Sequence, residues 1–415
     1  MPTPSARSCA ASARSWAPAT SPVRTCRPLG LCVVLASILS ACAARVAPIG
    51  TEGSAFTPDV DERRLWAQAD SEATVLLERA RADEPALTAH LTRLAERLTP
   101  AAVTVAGGPL PRVVLLRDPT LAAFALPDGR LFVHTGLVAA VESEAQLALV
   151  LAREVAHVVG RHALEAWRDG EATPARFEAR TALSPTAGAI LGRSLPVAAR
   201  AAVTGYGPTR EREADTAGLA AVVRDGWDQS AAAAVWARLA RELSGRGALE
   251  VFLLGRPAWL EDRRQSVRAL PGAAPARTSS EEFEALRRPL LRANAGDDAR
   301  RGRFALARRQ LDRVLAAVPT DALAHLQYGE LHRLQSQRAA TPDERDGEIR
   351  QARARYVRVL ALDPTLAQAH RELGLLAYQQ QDLGRARAEL EAYLRAAPTA
   401  PDAARIGEYV RELAR

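Results

Sequence analysis

Glu154-Val-Ala-His157 sets a carboxylate and an imidazole within one turn of a helical stretch. These are the side chains with which proteins move protons or hold metal ions near neutral pH. Alone, the E-x-x-H spacing says little, because it arises by chance in many helices. Arg153 stands four positions before His157 and shares its helical face. A guanidinium stays protonated and has no lone pair to give a metal. His162 follows His157 by five residues, about 140° round an ideal helix, and is expected to point elsewhere. Cysteine chemistry is confined to the N-terminus: Cys9, Cys26, Cys32 and Cys42 are all there are. Beyond Cys42 there is neither a disulfide nor a thiolate metal site.

The elements that must position these groups follow from periodicity. From Asp61 to Leu98 the pattern is helical, and Leu87, Leu91, Leu94 and Leu98 fall on one face. Pro111–Leu116 reads as a strand, Pro127-Asp128-Gly129 as a turn, and Arg130–His134 as a second strand. A long helix from Glu144 to Ala166 carries Arg153, Glu154 and His157. Residues 183–205, small and apolar but broken by Arg193, Pro196 and Arg200, read as a packing helix, with a lid or membrane-contacting segment as the alternative.

Further on, Ala352, Tyr356 and Pro364 recur as Ala386, Leu390 and Pro398. Ala307, Leu311 and Pro319 match them once an insertion at 335–348, polar and loop-like, is allowed for. A period of 34 residues, with Tyr328-Gly329 and Leu373-Gly374 at the helix crossings, is the signature of tetratricopeptide repeats. Three repeats over 288–400, capped by a helix at 401–415, offer a concave surface to a protein partner. His325, His332 and His370 fall at helical positions within them and read as surface or packing residues.

Residues 1–41 contain arginines, no acid and an apolar run from Leu29 to Leu39, ending in Leu39-Ser40-Ala41-Cys42. This is a secretory signal, and its ending resembles the bacterial lipobox, in which Cys42 is acylated. Met1 is the single methionine, and a start near Val23 would give a signal of more ordinary length. Ala43 after the cysteine points to the outer membrane by resemblance to Gram-negative lipoproteins. Residues 42–60 read as a flexible tether and 271–287 as a linker, leaving 61–270 as the domain with the chemistry. All 55 basic residues are arginine. Without Arg7, Arg14, Arg24 and Arg27 of the signal, 51 bases face 48 acids, a balance of +3. That gives no reason to invoke nucleic acid.

Three blocks in this order, Ala125–Leu137, Glu144–His162 and Glu211-Arg-Glu-Ala-Asp215-Thr-Ala-Gly218, resemble metallopeptidase family forty-eight. That family takes in prenyl endopeptidases, Oma-type mitochondrial proteases and periplasmic proteases with tetratricopeptide tails. The resemblance implies a mainly α gluzincin-type α+β domain with a small sheet, followed by an all-α repeat solenoid. It implies a zinc site in which Glu154 matches the general base, His157 a histidine ligand and Glu211 the glutamate ligand. Asp215 matches the acid that orients a ligand, and Arg130, Leu131, Phe132, Val133 and His134 match the edge strand that receives an extended substrate.

Departures are equally specific. The first zinc histidine falls at Arg153, the histidine expected before Pro257 is Arg256, and Ala122 replaces a common asparagine. Arg153 is expected instead to donate to Glu154 or Glu211 in the space a metal would fill. The readings that follow are a zinc metalloendopeptidase acting on envelope protein clients, with catalysis impaired or lost, and a non-catalytic chaperone-like or scaffold module that holds clients on the edge strand and repeats.

Overall fold

The computed structural model describes residues 46–51, 53–118, 120–169, 196–199, 201, 205–243, 263 and 277–414. The signal segment, Cys42, Arg256, residues 271–276 and most of 183–205 lie outside them. Among the described residues no helix is long and apolar enough to cross a membrane.

The chain opens with residues docked on the body. Ile49 is buried and its N–H donates to the Val159 carbonyl at 2.9 Å, while Phe56 N–H donates to the Ala106 carbonyl at 2.6 Å. The flexible tether expected over 42–60 is therefore docked at Ile49 and Phe56, which supply apolar anchors, while Thr51, Gly53, Ser54, Ala55 and Thr57 remain exposed.

Helix α1 (Val60–Ala80) is capped by Asp59, whose side chain accepts from Glu62 N–H. Helix α2 (Pro85–Leu98) buries the predicted leucine face, and α3 (Ala101–Val105) is one short turn beyond. Strands β1 (Arg112–Leu116), β2 (Ala123–Ala125) and β3 (Arg130–His134) form a sheet in the order β1-β3-β2. β1 runs parallel to β3 with Val114 opposite Phe132, and β2 runs antiparallel with Phe124 opposite Phe132. Arg130–His134 is thus the central strand and not the expected edge. Both of its flanks are hydrogen-bonded, and it cannot take a peptide as an added strand. The free edge belongs to β2.

After α4 (Thr135–Ala140) comes α5 (Glu144–Val159), the helix of Arg153, with Ser143 as its cap. Its residues are buried almost all round, as an apolar helix demands, by packing on α2, β2, α8 (Pro208–Arg224) and α9 (Gln229–Leu243). The helix stops at Val159: Gly160 follows and Arg161 takes a left-handed conformation (φ 54°) before α6 (His162–Arg168) starts. The single run to Ala166 read from the sequence is two helices. Helix α7 (Pro196–Ala199) turns the Val197 and Ala198 N–H groups onto Glu72 at 3.1 and 2.7 Å.

The repeat region pairs α10 (Glu281–Arg300) with α11 (Phe304–Ala317), α12 (Ala322–Ser336) with α13 (Pro342–Leu362), and α14 (Ala367–Gln379) with α15 (Leu383–Ala396), and ends on α16 (Ala403–Leu413). Two boundaries differ from the sequence reading. Helix α10 begins inside the expected linker because Ser280 caps it and Glu281, Glu282 and Glu284 suit its positive end. Residues 342–348 of the expected loop are helical because Thr341 and Glu344 form a capping box in front of Pro342. Gly329 and Gly374 lie where a Cβ would strike Tyr356 and Leu390, which explains small residues at the crossings. One continuous core runs from Leu87 and Leu94 through α5 to Phe283, Leu290, Leu311 and Leu331. The first helical pair therefore shares its interior with the preceding domain.

Candidate functional site

Helix α8 brings Glu211 and Asp215 against the face of α5 that carries Arg153 and His157. Pro208 sits at the start of α8, where its missing N–H costs nothing. Gly218 allows the close approach: a Cβ there would lie 2.9 Å from the backbone nitrogen of Arg153 and 3.1 Å from its Cα. Glu211, Asp215, Glu154 and His157 are all buried, at 3–5% exposure, so each charge among them needs a partner in place.

Arg153 is that partner. Its Nε donates to Asp215 Oδ1 at 2.9 Å, its Nη1 to Glu154 Oε1 at 2.6 Å, and its Nη2 to Glu211 Oε2. The expected donation to Glu154 or Glu211 is made to both, and to Asp215 as well. Arg263, for which the sequence offers no local signal, adds a second guanidinium: its Nη2 donates to Glu211 Oε2 at 2.7 Å and its Nε lies 3.3 Å from Asp215. Arg263 also stands over the Trp236 ring at 5.0 Å. Burial pushes the Glu154 carboxyl above its usual range, against the pull of Arg153, Arg263 and the Ala125 N–H.

His157 Nε2 lies 3.8 Å from Glu211 Oε2, and the Tyr206 ring packs on the imidazole at 4.9 Å. Burial, then the positive charge of Arg153, holds His157 well below the normal histidine range, so the ring is neutral. Its Nδ1 is 2.9 Å from Nδ1 of His162. The expectation that His162 points away fails because the angle was counted along an unbroken helix. The break at Gly160 and Arg161 folds His162 back. Tyr206 escaped the sequence reading too; it lies in Gly205-Tyr-Gly-Pro just ahead of α8, and its N–H donates to Glu211 Oε1 at 2.9 Å.

The other histidines do not converge here. His134 is buried against Thr120 at 2.6 Å, His90 binds Glu144 at 2.7 Å, and His332 and His370 pair with Glu348 and Glu389. Arg130 pairs with Asp70 and Asp128. On β2, Leu126 N–H bonds to the Arg130 carbonyl and His134 N–H to the Ala122 carbonyl. By antiparallel alternation the N–H and C=O groups of Ala123 and Ala125 face away from β3, and the Ala125 N–H meets Glu154.

This geometry meets a family assignment. The model of peptidase family M48 matches residues 85–283, and a tetratricopeptide repeat model matches 345–411. Residues 85–283 are a peptidase family M48 domain. The chain is 29% identical over 203 residues to a beta-barrel assembly-enhancing protease of Vibrio cholerae, covering 46% of this chain and 41% of that one. Its Escherichia coli K12 counterpart is 29% identical over 160 residues (36% and 32%). The mitochondrial metalloendopeptidase OMA1 of Schizosaccharomyces pombe is 30% identical over 173 residues (40% and 49%). Each match spans less than half of the relative's length.

The match of residues 85–283 to the M48 family model implies a metal, typically zinc, and the residues present test that implication. They do not fit. Among the described residues no three His, Cys, Asp or Glu side chains converge as a metal-holding group. The place between His157, Glu154 and Glu211 is spanned by the Arg153 fork. A fixed positive charge about 4 Å from a divalent ion would cost roughly 8 kcal/mol at an effective dielectric of about 20.

Proposed function

We propose that the chain is a client-binding, envelope-located member of the M48 family that works without zinc-dependent peptide cleavage. One observation carries this reading: the guanidinium of Arg153 bonds at once to Glu154, Glu211 and Asp215. The positions that the family uses for base and ligands are thereby tied up in an ion-pair network. The names of the bacterial relatives, beta-barrel assembly-enhancing proteases, support clients drawn from periplasmic or outer-membrane proteins. The outward backbone groups of Ala123 are suited to an extended client segment, and the repeats offer a second partner surface. Acylation at Cys42 after removal of residues 1–41 would hold the protein at the membrane, the outer membrane by the Ala43 rule.

A second reading, a zinc metalloendopeptidase of impaired activity, is favoured by the survival of Glu154, His157, Glu211 and Asp215 together. Zinc content and casein cleavage by the purified mature protein separate the two, with Arg153→His measured alongside. The first reading expects no stoichiometric zinc and no cleavage in the unaltered protein, and metal uptake only when imidazole replaces guanidinium. Stoichiometric zinc with cleavage in the unaltered protein would overturn it.

A further inference from the structure

Four of the seven large apolar side chains that stand exposed among the described residues gather around the docked N-terminal segment. These are Val60 (53% exposed), Val105 (88%), Leu110 (48%) and Trp167 (38%). Val105 ends α3 and Leu110 follows the Gly107-Gly108 turn. Gly50 lies against the backbone of Ala102 in the same short helix, and Ile49 against Gly108. Val60 opens α1 just after Phe56, which is bonded to Ala106. Trp167 is tied to that region because Arg168 donates to Asp59 at 2.5 Å. The remaining three, Leu323, Val357 and Leu383, are dispersed through the repeats.

The segment that collects these residues is held, not loose. Arg161 donates to the Ala47 carbonyl at 3.4 Å and to Glu62 at 3.0 and 2.6 Å, and stands over the Phe56 ring at 5.6 Å. Three residues, Ala43, Ala44 and Arg45, separate Cys42 from Val46, and an extended chain spans at most about 3.6 Å per step, so about 14 Å over the four steps. An acyl group on Cys42 thus has almost no slack. Whichever face carries Val46–Gly50 is kept at the bilayer, and that face is also where exposed apolar side chains and an exposed tryptophan, a residue suited to the lipid–water boundary, are concentrated.

We infer that the surface formed by Val60, Val105, Leu110 and Trp167 lies against the phospholipid surface. Lipid anchoring at one end and apolar contact beside it would then fix the orientation of the whole domain. The inference rests on the proposed acylation of Cys42. It has a consequence for the site. Ile49 bonds to Val159 at the end of α5, two residues past His157, so the His157 end of that helix lies on the anchored side of the domain.

The mature chain has no cysteine after Cys42, so single substitutions V105C, L110C and, on the repeats, V357C each supply one free thiol for an environment-sensitive dye. The full-length acylated protein is bound to phosphatidylethanolamine–phosphatidylglycerol vesicles carrying a headgroup-attached quencher. Flotation and the mass of the N-terminal peptide report the anchor independently, and intrinsic tryptophan emission reports folding. Dye at positions 105 and 110 is expected to be quenched severalfold more than dye at 357. Acylated, floating protein with equal quenching at all three positions overturns this inference and leaves the anchor standing. A dye shift at 105 in vesicle-free dimers assigns the patch to a second copy and also overturns it. Absence of acyl mass on Cys42 overturns the anchor reading and this inference with it.

Discussion

Arg153→Met is the sharpest probe of the buried network, since methionine fills similar space without charge. In the native site three carboxylates, Glu154, Glu211 and Asp215, face two guanidiniums, Arg153 and Arg263. Removing Arg153 leaves three buried acids with one partner. Breaking a buried pair in this way costs about 3–5 kcal/mol. For a domain of this size each kcal/mol moves the melting midpoint by roughly 2–4 °C, so the expected loss is about 6–20 °C. The readout is clean because Trp66, Trp167, Trp227, Trp236 and Trp259 all precede the repeats; tryptophan emission therefore follows the M48 domain, while far-ultraviolet dichroism follows both. The double variant Arg153→Met with Glu211→Gln tests the cause, because the amide keeps an acceptor for the Tyr206 N–H while removing the orphaned charge. It should recover part of the loss, since replacing both members of a buried pair is often close to neutral. A cost below about 1 kcal/mol for Arg153→Met, or strictly additive losses in the double variant, would refute the reasoning.

Two further outcomes are expected. Gly218→Ala should cost about 1–3 kcal/mol in urea denaturation followed by tryptophan emission, because its Cβ would meet the Arg153 backbone at 2.9 Å and helices α5 and α8 would have to separate. His90, hydrogen-bonded to Glu144 at 2.7 Å and 3.3 Å from Glu282, is held above its usual pKa by the Glu144 bond, against burial. Its contribution is complete below the unfolded value of about 6.5 and is lost as pH rises through the higher folded value. The urea midpoint of the unaltered protein should therefore fall on raising the pH above about 6.5, and His90→Gln should flatten that fall.

The helices and the domain order were legible because their signals are local or nearly so: the leucine face of α2, the 34-residue period of the repeats, and the three ordered blocks that carry the M48 resemblance. What failed was set by contacts distant in sequence or by a single dihedral. Arg130–His134 alternates like any half-buried strand, and nothing in its five residues tells that β1 crosses over to pair on one side while the three-residue β2 pairs on the other. His162 was placed by helical arithmetic that one left-handed residue, Arg161, cancels. Arg263 sits in a run, Glu-Asp-Arg-Arg, indistinguishable from a solvated surface, and only the fold gives it Glu211 and Asp215. Val46–Pro58 looked like a tether because it lacks periodicity, yet Ile49 and Phe56 suffice to dock it.

Arg153 was legible as a misfit, but its partners show why arginine in particular can stand there. A zinc ion in a gluzincin site ties one helix to the other through its ligands, and losing it would leave buried carboxylates of α5 and α8 repelling one another. The replacement has to carry positive charge, reach both helices and direct hydrogen bonds to several acids at once. A lysine ammonium would supply charge at one point on a flexible stem. The guanidinium is planar and offers donors along separate directions, and here Nε, Nη1 and Nη2 each go to a different carboxylate, two of them on α8 and one on α5. The cross-link between the helices is thus kept by hydrogen bonds within the chain. Under the proposed function the M48 fold persists without a metal because Arg153, standing in the metal's place, supplies the cross-link between α5 and α8.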